Sequence, residues 1–125
     1  MESTNISQHL RYKIVESEEM QAFFSSNLLS KPLWKFCDED DMRILFYDGD
    51  IFVGAISCNK RDGCMHIEMI EVPTGLRHKG YASAIVKTLQ KEVAHLSCVP
   101  IDTSEQLFER CGFRKQTSQT WVWDR

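Results

Sequence analysis

His66 and Glu68 stand two residues apart in "CMHIEMIEV" (Cys64 to Val72), and a basic loop, Arg77-His78-Lys79-Gly80, follows shortly after it. In an extended chain, residues i and i+2 project from one face. The imidazole and the carboxylate therefore share a side. On that alternation Ile70 and Val72 continue the same face toward the loop, while Glu71 points to the other. A histidine and a glutamate so placed are candidate general bases. The loop suggests different chemistry. Its three potential cations are bracketed by Gly75 and Gly80 and lead into Ala82, Ile85, Val86, Leu89 and Val93, an apolar helix stripe free of Pro and Gly. A helix start presents N–H groups with no internal partner and carries a partial positive charge. A glycine there lets a bulky anion approach the main chain, and Arg77 and Lys79 add charge-assisted bonds. Strand, glycine-containing basic loop and helix together make a phosphate cradle. The loop has neither the G-K-[ST] of a Walker loop nor the G-x-G-x-x-G of a dinucleotide site. On composition alone, a solvated basic loop capping a helix is the competing reading.

The elements around these residues read as an α+β domain. "LRYKIV" (Leu10 to Val15) is a first strand. "ESEEMQAFFSSNLL" is a helix, with Ser17 as its N-cap, Met20, Phe23, Phe24 and Leu28 on one face, and Pro32 as its stop. The connection "SKPLWKFCDEDD" is irregular. "MRILFY" and "IFVGAISC" flank Asp48-Gly49-Asp50, a hairpin signal, and Asp62-Gly63 marks a second hairpin into the run with His66. Three strands thus form an antiparallel meander from Met42 to Val72. After the helix come a short fifth strand "SCVPI", a short helix "SEQLFERC" ended by Gly112, and a last hairpin in "FRKQTSQTWVW" with its turn near Thr117 and Ser118. Trp121 and Trp123 alternate and are expected to pack on the sheet, with a dimer seam as the alternative.

Composition excludes several classes. The chain has 125 residues, enough for one core, so 1–125 reads as one domain. Its net charge of -3 argues against non-specific nucleic-acid binding. No apolar run approaches the roughly 20 residues that cross a bilayer, and the N-terminus lacks the apolar core of a signal peptide. Five cysteines without regular spacing read as reduced thiols, which places the protein in the cytoplasm. Cys58, Cys64 and His66 lack the C-x-x-C spacing of a zinc site, so no metal is expected.

Spacing adds a family likeness. Arg77-His78-Lys79-Gly80-Tyr81-Ala82 matches R/Q-x-x-G-x-G/A, and "SEQLFERCGF" (Ser104 to Phe113) is similar to A-x-x-L-Y-x-x-x-G-F. These are the coenzyme A loop and the C-terminal helix-to-strand signature of the GNAT acetyltransferases. With the helix and strand between them they cover about Cys64 to Phe113, and the meander before them also fits. The resemblance implies a mixed, mostly antiparallel sheet flanked by helices, with strands four and five splayed so that coenzyme A slots into the V. It implies that the pantetheine arm lies along the backbone near Ile70 and Val72 and that the pyrophosphate rests on the loop. The cofactor-binding set is then Ile70, Val72, Arg77, His78, Lys79, Gly80, Tyr81, Ala82 and Ser83.

The implied activity is N-acetyl transfer from acetyl-CoA to a small-molecule or peptide amine, by direct attack in a ternary complex. An amine of pKa about 10.4 is neutral in roughly one molecule in 2,500 at pH 7, so its deprotonation costs about 4.6 kcal/mol. Hence the need for His66 or Glu68, with the Ile70 N–H as the donor to the oxyanion. The family's tyrosine, the acid for the leaving thiolate, aligns with Phe108, and its asparagine roughly with Ile101. Water or Cys111 is left to supply the proton. The rival expectation is a coenzyme A-binding regulatory module without turnover. The short segment before the second strand, with Asp38, Glu39, Asp40 and Asp41, points to a small or flexible cationic acceptor. Monomer and homodimer both remain open.

Overall fold

Two tight turns organise the first half of the molecule. The computed structural model describes residues 10–34, 37–38 and 40–125; Phe36 and Glu39 of the acidic connection lie outside them. Strand β2 (Met42–Asp48) turns through Gly49 and Asp50 into β3 (Ile51–Arg61), with Asp48 opposite Ile51 and Gly49 at φ 62°. β3 turns through Asp62 and Gly63, at φ 52° and 80°, into β4 (Cys64–Glu71). Positive φ at both central residues gives the twist that suits a two-residue hairpin. β1 (Arg11–Val15) pairs with β2 at the outer edge. β5 (His95–Cys98) joins β4 in parallel, and the hairpin of β6 (Arg114–Lys115) and β7 (Trp121–Asp124) completes the sheet through β7. The order among the described residues is β1-β2-β3-β4-β5-β7-β6.

The two faces of the sheet are covered differently. Helix α3 (Tyr81–Glu92), the crossover between β4 and β5, buries Ile85, Val86 and Leu89 on one face. Each such side chain stabilises the packing by about 1.5–3 kcal/mol. They meet Ile56, Cys58 and Ile67 of the sheet and Phe108 of α4 (Glu105–Arg110) in the main core. α4 ends at Gly112, φ 88°, where the Phe113 N–H donates back to the Phe108 carbonyl at 3.0 Å, closing the helix as the sequence suggests. Trp121 and Trp123 both lie on this core, so their alternation reads correctly. On the other face a smaller core of Val15, Met20, Leu29, Trp34, Leu45 and Ala55 sits under the connection between β1 and β2.

That connection differs from the sequence reading. Ser17 is not the cap; Glu16 is, and a 3₁₀ turn (Ser17–Met20) precedes a short α1 (Gln21–Ser25). The helix stops at Asn27, φ 61°, well before Pro32. Pro32 sits instead in the first turn of a four-residue helix, α2 (Lys31–Trp34), where its missing N–H costs nothing. Leu28 is left half-exposed, and Leu29 is buried in its place. The fifth strand also lies earlier than "SCVPI". It ends at Cys98, because Val99 to Ile101 leave the sheet and Pro100 has no N–H to give a ladder. Among the described residues no helix is long and apolar enough to cross a membrane.

Gly54 sets the distance between α3 and the sheet. A Cβ there would stand 2.6 Å from Ile85 Cδ1 and 2.8 Å from the Glu71 carbonyl oxygen. The carbonyl is backbone and cannot swing aside. Gly54→Ala is expected to lower the unfolding free energy by about 1–3 kcal/mol, as overpacking does. Urea unfolding with an unchanged slope and a lower midpoint checks it; an unchanged midpoint contradicts the close approach.

Candidate active site

β4 and β5 pair only from Met65 to Ile67 against Leu96 to Cys98. β4 then runs on to Glu71, while β5 has ended. The gap is a V-shaped cavity of ≈ 200 Å³ lined by Ile67 to Ile70 on one arm, Cys98 and Val99 on the other, and Ile101, Ser104 and Phe108 across the mouth. A second cleft of ≈ 330 Å³ opens on the α3 side, between the loop Leu76 to Ser83 and Leu107 and Arg110 of α4. The two share Ile70 and Ser104. Past Ile67 the β5-facing edge of β4 has no strand partner among the described residues, which leaves it available to an extended ligand.

The loop has the features of an anion cradle. Gly80 is the N-cap of α3 at φ 93°, and no side chain caps the helix. The first cross-turn bond of the helix is from the Ala84 N–H to the Gly80 carbonyl, 3.1 Å, so the amides of Tyr81, Ala82 and Ser83 lie in the turn without helical acceptors. These residues line the second cleft together with Val72, Arg77 and His78. His78 adopts φ 64°, an unusual conformation for a residue with a Cβ. Tyr81 turns its hydroxyl outward to Asp48 Oδ2 at 3.2 Å. Arg77 does not extend freely. Its Nε donates to the Val72 carbonyl at 2.9 Å and its guanidinium lies 3.7 Å from Glu71. The arginine thereby braces the start of the loop with one part of its fork. Lys79 is exposed.

Across the sheet the arrangement departs from simple alternation. Ser57 faces Met69 but Cys58 faces Ile67, so β4 carries one extra residue, Glu68, as a bulge. The bulge reverses the faces beyond it. His66 and Glu68 lie on the side of Asn59 and Arg61; Met69 joins the smaller core on that side, whereas Ile70 joins the main core under α3 with Val72. His66 and Glu68 therefore share a face with Glu71, not with Ile70 and Val72, which corrects the expectation from strict period two. The Glu71 carboxylate is buried and accepts from Trp34 Nε1 at 2.7 Å and from the Ser30 N–H at 3.0 and 3.1 Å. It ties α2 to the loop before α3 through Arg77.

His66 is 6% exposed, with Nδ1 2.8 Å from Ser97 Oγ and Nε2 3.9 Å from Glu68 Oε1. Burial lowers its pKa, the Arg61 charge lowers it further, and Glu68 opposes both. The ring is thus neutral at pH 7 and able to accept a proton. Glu68 Oε1 accepts hydrogen bonds from Arg61 and, at 3.0 Å, from Asn59 Nδ2. Asn59 in turn donates to Asp41 Oδ1 at 2.9 Å. Sequence reading missed Asn59, Arg61 and Ser97. The first two are legible as neighbours on alternate positions of β3; Ser97 becomes a neighbour only through the parallel register, which no local pattern announces. The acidic connection also has a structural role, since Asp41 caps the Asp38 N–H at 3.0 Å and Arg43 donates to the carbonyls of Asp38 and Asp41. Regular alternation below the bulge separates Cys58 from Cys64 and His66. Cys58 lies in the main core, on the opposite side from His66, and burial raises its thiol to about 11.

The sequence profile described as the Acetyltransferase (GNAT) family matches residues 11–113, most of the chain. The chain belongs to the GNAT acetyltransferase family. Solved structures share the fold. An acetyltransferase from Bacillus subtilis in complex with CoA is 18% identical at a TM-score of 0.61, covering 94% of this chain and 99% of that one. An acetyltransferase from Thermus thermophilus is 12% identical at 0.71, covering 93% and 97%. The ribosomal-protein-S18-alanine N-acetyltransferase from Escherichia coli is 12% identical at 0.68, covering 93% and 94%. No curated protein matches in sequence. In this GNAT chain the V between β4 and β5 is as the resemblance implied. Phe108, which the resemblance aligns with the family's tyrosine, is 3% exposed, lines the V and stacks edge-on against Phe113 at 5.1 Å between centroids. Cys111 is buried with Sγ 3.5 Å from Ser83 Oγ, and it is not among the residues that line the V.

Gly80→Asp places a side chain and a negative charge at the head of the cradle. The expected result is coenzyme A affinity reduced at least about tenfold. Calorimetry with coenzyme A checks this; equal affinity for the two proteins contradicts the cradle.

Proposed function

We propose that this GNAT protein transfers the acetyl group of acetyl-CoA to a primary amine of a small molecule or peptide by direct attack in a ternary complex. One observation carries the reading. The cleft at the head of α3 runs through Ile70 and Ser104 into the V, and the V shares Val99 with a polar groove of ≈ 490 Å³ lined by His66 and Ser97. On this reading an anion site and a proton-accepting site both border one passage, the V, whose lining shares Ile70 and Ser104 with the first and Val99 with the second. Acetyl-CoA brings an activated thioester to that passage. Arg77 to Ser83 hold the pyrophosphate through main-chain N–H groups, and the edge of β4 at Ile70 and Val72 holds the pantetheine arm. The Ile70 N–H stabilises the oxyanion.

The proton balance defines the residues' roles. As the amine nitrogen bonds to the thioester carbon and the C–S bond breaks, nitrogen gives up a proton and sulfur takes one. His66 is the better placed acceptor, because its Nε2 makes no hydrogen bond among the described residues while Glu68 Oε1 already accepts from Arg61 and Asn59. Glu68 stabilises the imidazolium. With Phe108 unable to donate, water protonates the thiolate. A thiol of pKa about 8.5 leaves at pH 7 at a cost of only about 2 kcal/mol. A second reading, a coenzyme A-binding module without turnover, is favoured by Phe108 alone.

An acceptor screen reporting free coenzyme A across polyamines, amino acids, aminoglycosides and peptides tests the proposal. Turnover with primary amines is expected. Tight coenzyme A binding with no acceptor turned over supports the second reading instead. On a good acceptor, His66→Ala should lower kcat/KM about 10²-fold or more, and Glu68→Gln less. Both losses should shrink at high pH, where free amine is plentiful. Because the His66 pKa is lowered, the acid limb due to the base lies below the ordinary value of about 6.5. Phe108→Tyr should leave coenzyme A affinity unchanged and raise kcat. Identical pH–rate profiles for wild type, His66→Ala and Glu68→Gln contradict the assignment of the base.

A further inference from the structure

Ser97 is the residue that meets the catalytic face from the other arm of the V. It stands opposite His66 in the parallel ladder, is 7% exposed, and places Oγ 2.8 Å from His66 Nδ1. The hydroxyl has no other hydrogen bond among the described residues, and Nδ1 is the only ring nitrogen with a hydrogen-bonding partner among them. We propose that Ser97 is a positioning residue that keeps the neutral His66 proton on Nδ1 and leaves the Nε2 lone pair facing the acceptor amine. The inference rests on the reading of His66 as the base.

The surroundings of the ring's two ends decide its tautomer. A neutral imidazole has one donor and one acceptor nitrogen, and a hydroxyl partner can accept from an N–H or donate to a bare nitrogen, so the tautomer turns on where the ring N–H finds an acceptor. At the Nε2 end, Glu68 is 3.9 Å away, beyond hydrogen-bond length, and its Oε1 is occupied by Arg61 and Asn59. No acceptor among the described residues stands within hydrogen-bond length of Nε2. At the Nδ1 end, Ser97 Oγ stands 2.8 Å away in a buried pair and is the one acceptor that a ring N–H reaches among the described residues, where leaving a ring N–H unpaired is costly. When Nε2 takes the amine's proton, the ring becomes an imidazolium with N–H groups at both ends. The Nδ1–H stays on Ser97, and the new Nε2–H meets the field of Glu68. The proton then leaves through water, balancing the one taken by the thiolate. The other charged and titratable groups that line this groove are Arg61 of β3, Asp62 of the turn, Cys64 of β4 and Asp124 of β7. Asp124 is paired with both Arg114 and His95. Arg61 opposes protonation of the ring, so the hydroxyl and Glu68 are what favour the imidazolium.

The test combines a readout that needs no turnover with one that does. Long-range ¹H–¹⁵N spectra of labelled wild type should show His66 with Nδ1 protonated and Nε2 bare at neutral pH, and Ser97→Ala should shift both nitrogens toward a tautomer mixture. On the best acceptor, Ser97→Ala should lose about tenfold in kcat/KM, the worth of one buried hydrogen bond. Its acid limb should move to lower pH, with coenzyme A affinity unchanged, and Ser97→Thr should restore rate and profile. A wild-type ring protonated on Nε2 overturns the proposal, as does a Ser97→Ala profile identical to wild type while His66→Ala is impaired. If His66→Ala itself keeps the wild-type profile, the reading of the base fails and the proposal with it. If the wild type turns over no acceptor, the enzymatic reading fails, and the tautomer in the spectra still decides whether Ser97 sets the ring.

Discussion

β4 holds one residue more than the stretch of β3 it pairs with, since Met69 faces Ser57 and Ile67 faces Cys58. That residue, Glu68, has no partner in the ladder, and its insertion reverses which side of the sheet every later side chain occupies. Below it, Met65 and Ile67 face the main core; above it, Ile70 and Val72 do. Two consecutive residues, Glu68 and Met69, are thereby turned to the same side. The pairing with β5 ends at the same level, at Ile67 and Cys98. One local irregularity thus coincides with the opening of the V and puts the polar residues of β4 on the side away from α3. The cleft at the head of α3 and the groove of His66 consequently approach the gap from opposite faces.

Polar groups on the base side form a continuous row. Asp41 holds Asn59, Asn59 and Arg61 hold Glu68, Glu68 lies beside His66, and His66 meets Ser97. The row crosses β3, β4 and β5, so the geometry of the site depends on sheet register more than on any loop. Such networks are stiff when every member is satisfied and costly when one is removed. Glu71 does the corresponding work on the side of the loop before α3. Its carboxylate ties Trp34 and Ser30 to a strand end whose next residues lead, through Arg77, to the head of α3. The main core fixes α3 itself, with Gly54 allowing the helix to sit close to β3.

Much of this was legible in the sequence, and the exceptions share a cause. The two hairpins, the α3 stripe, the Gly112 stop and the basic loop follow from local chemistry: turn residues, apolar period, capping. They read correctly because nothing distant opposes them. The connection after β1 did not read well. Asn27 ends its helix in a left-handed conformation, and Pro32 fits a later first turn; both are set by how Leu29 and Trp34 pack beneath the sheet. The face assignment beyond Glu68 failed because period two assumes no bulge, and a bulge leaves no mark in one strand read alone. Ser97 was invisible for the same kind of reason. A parallel partner some thirty residues away is a fact of topology, not of pattern. The GNAT signature did carry the overall architecture, including the splay.

Coenzyme A titrated into ¹⁵N-labelled protein tests the central claim most directly, namely that the cofactor enters the V along β4 with its phosphates on the head of α3. The account predicts that the largest amide shifts fall on Ile70 and Val72 and on Gly80 to Ser83, with smaller ones at Ser104 and Leu107 across the cleft. Asn59 and Arg61, on the far face, should hardly move. Shifts concentrated on the Asn59–Arg61 face, with the amides of Gly80 to Ser83 unchanged at saturation, would contradict it.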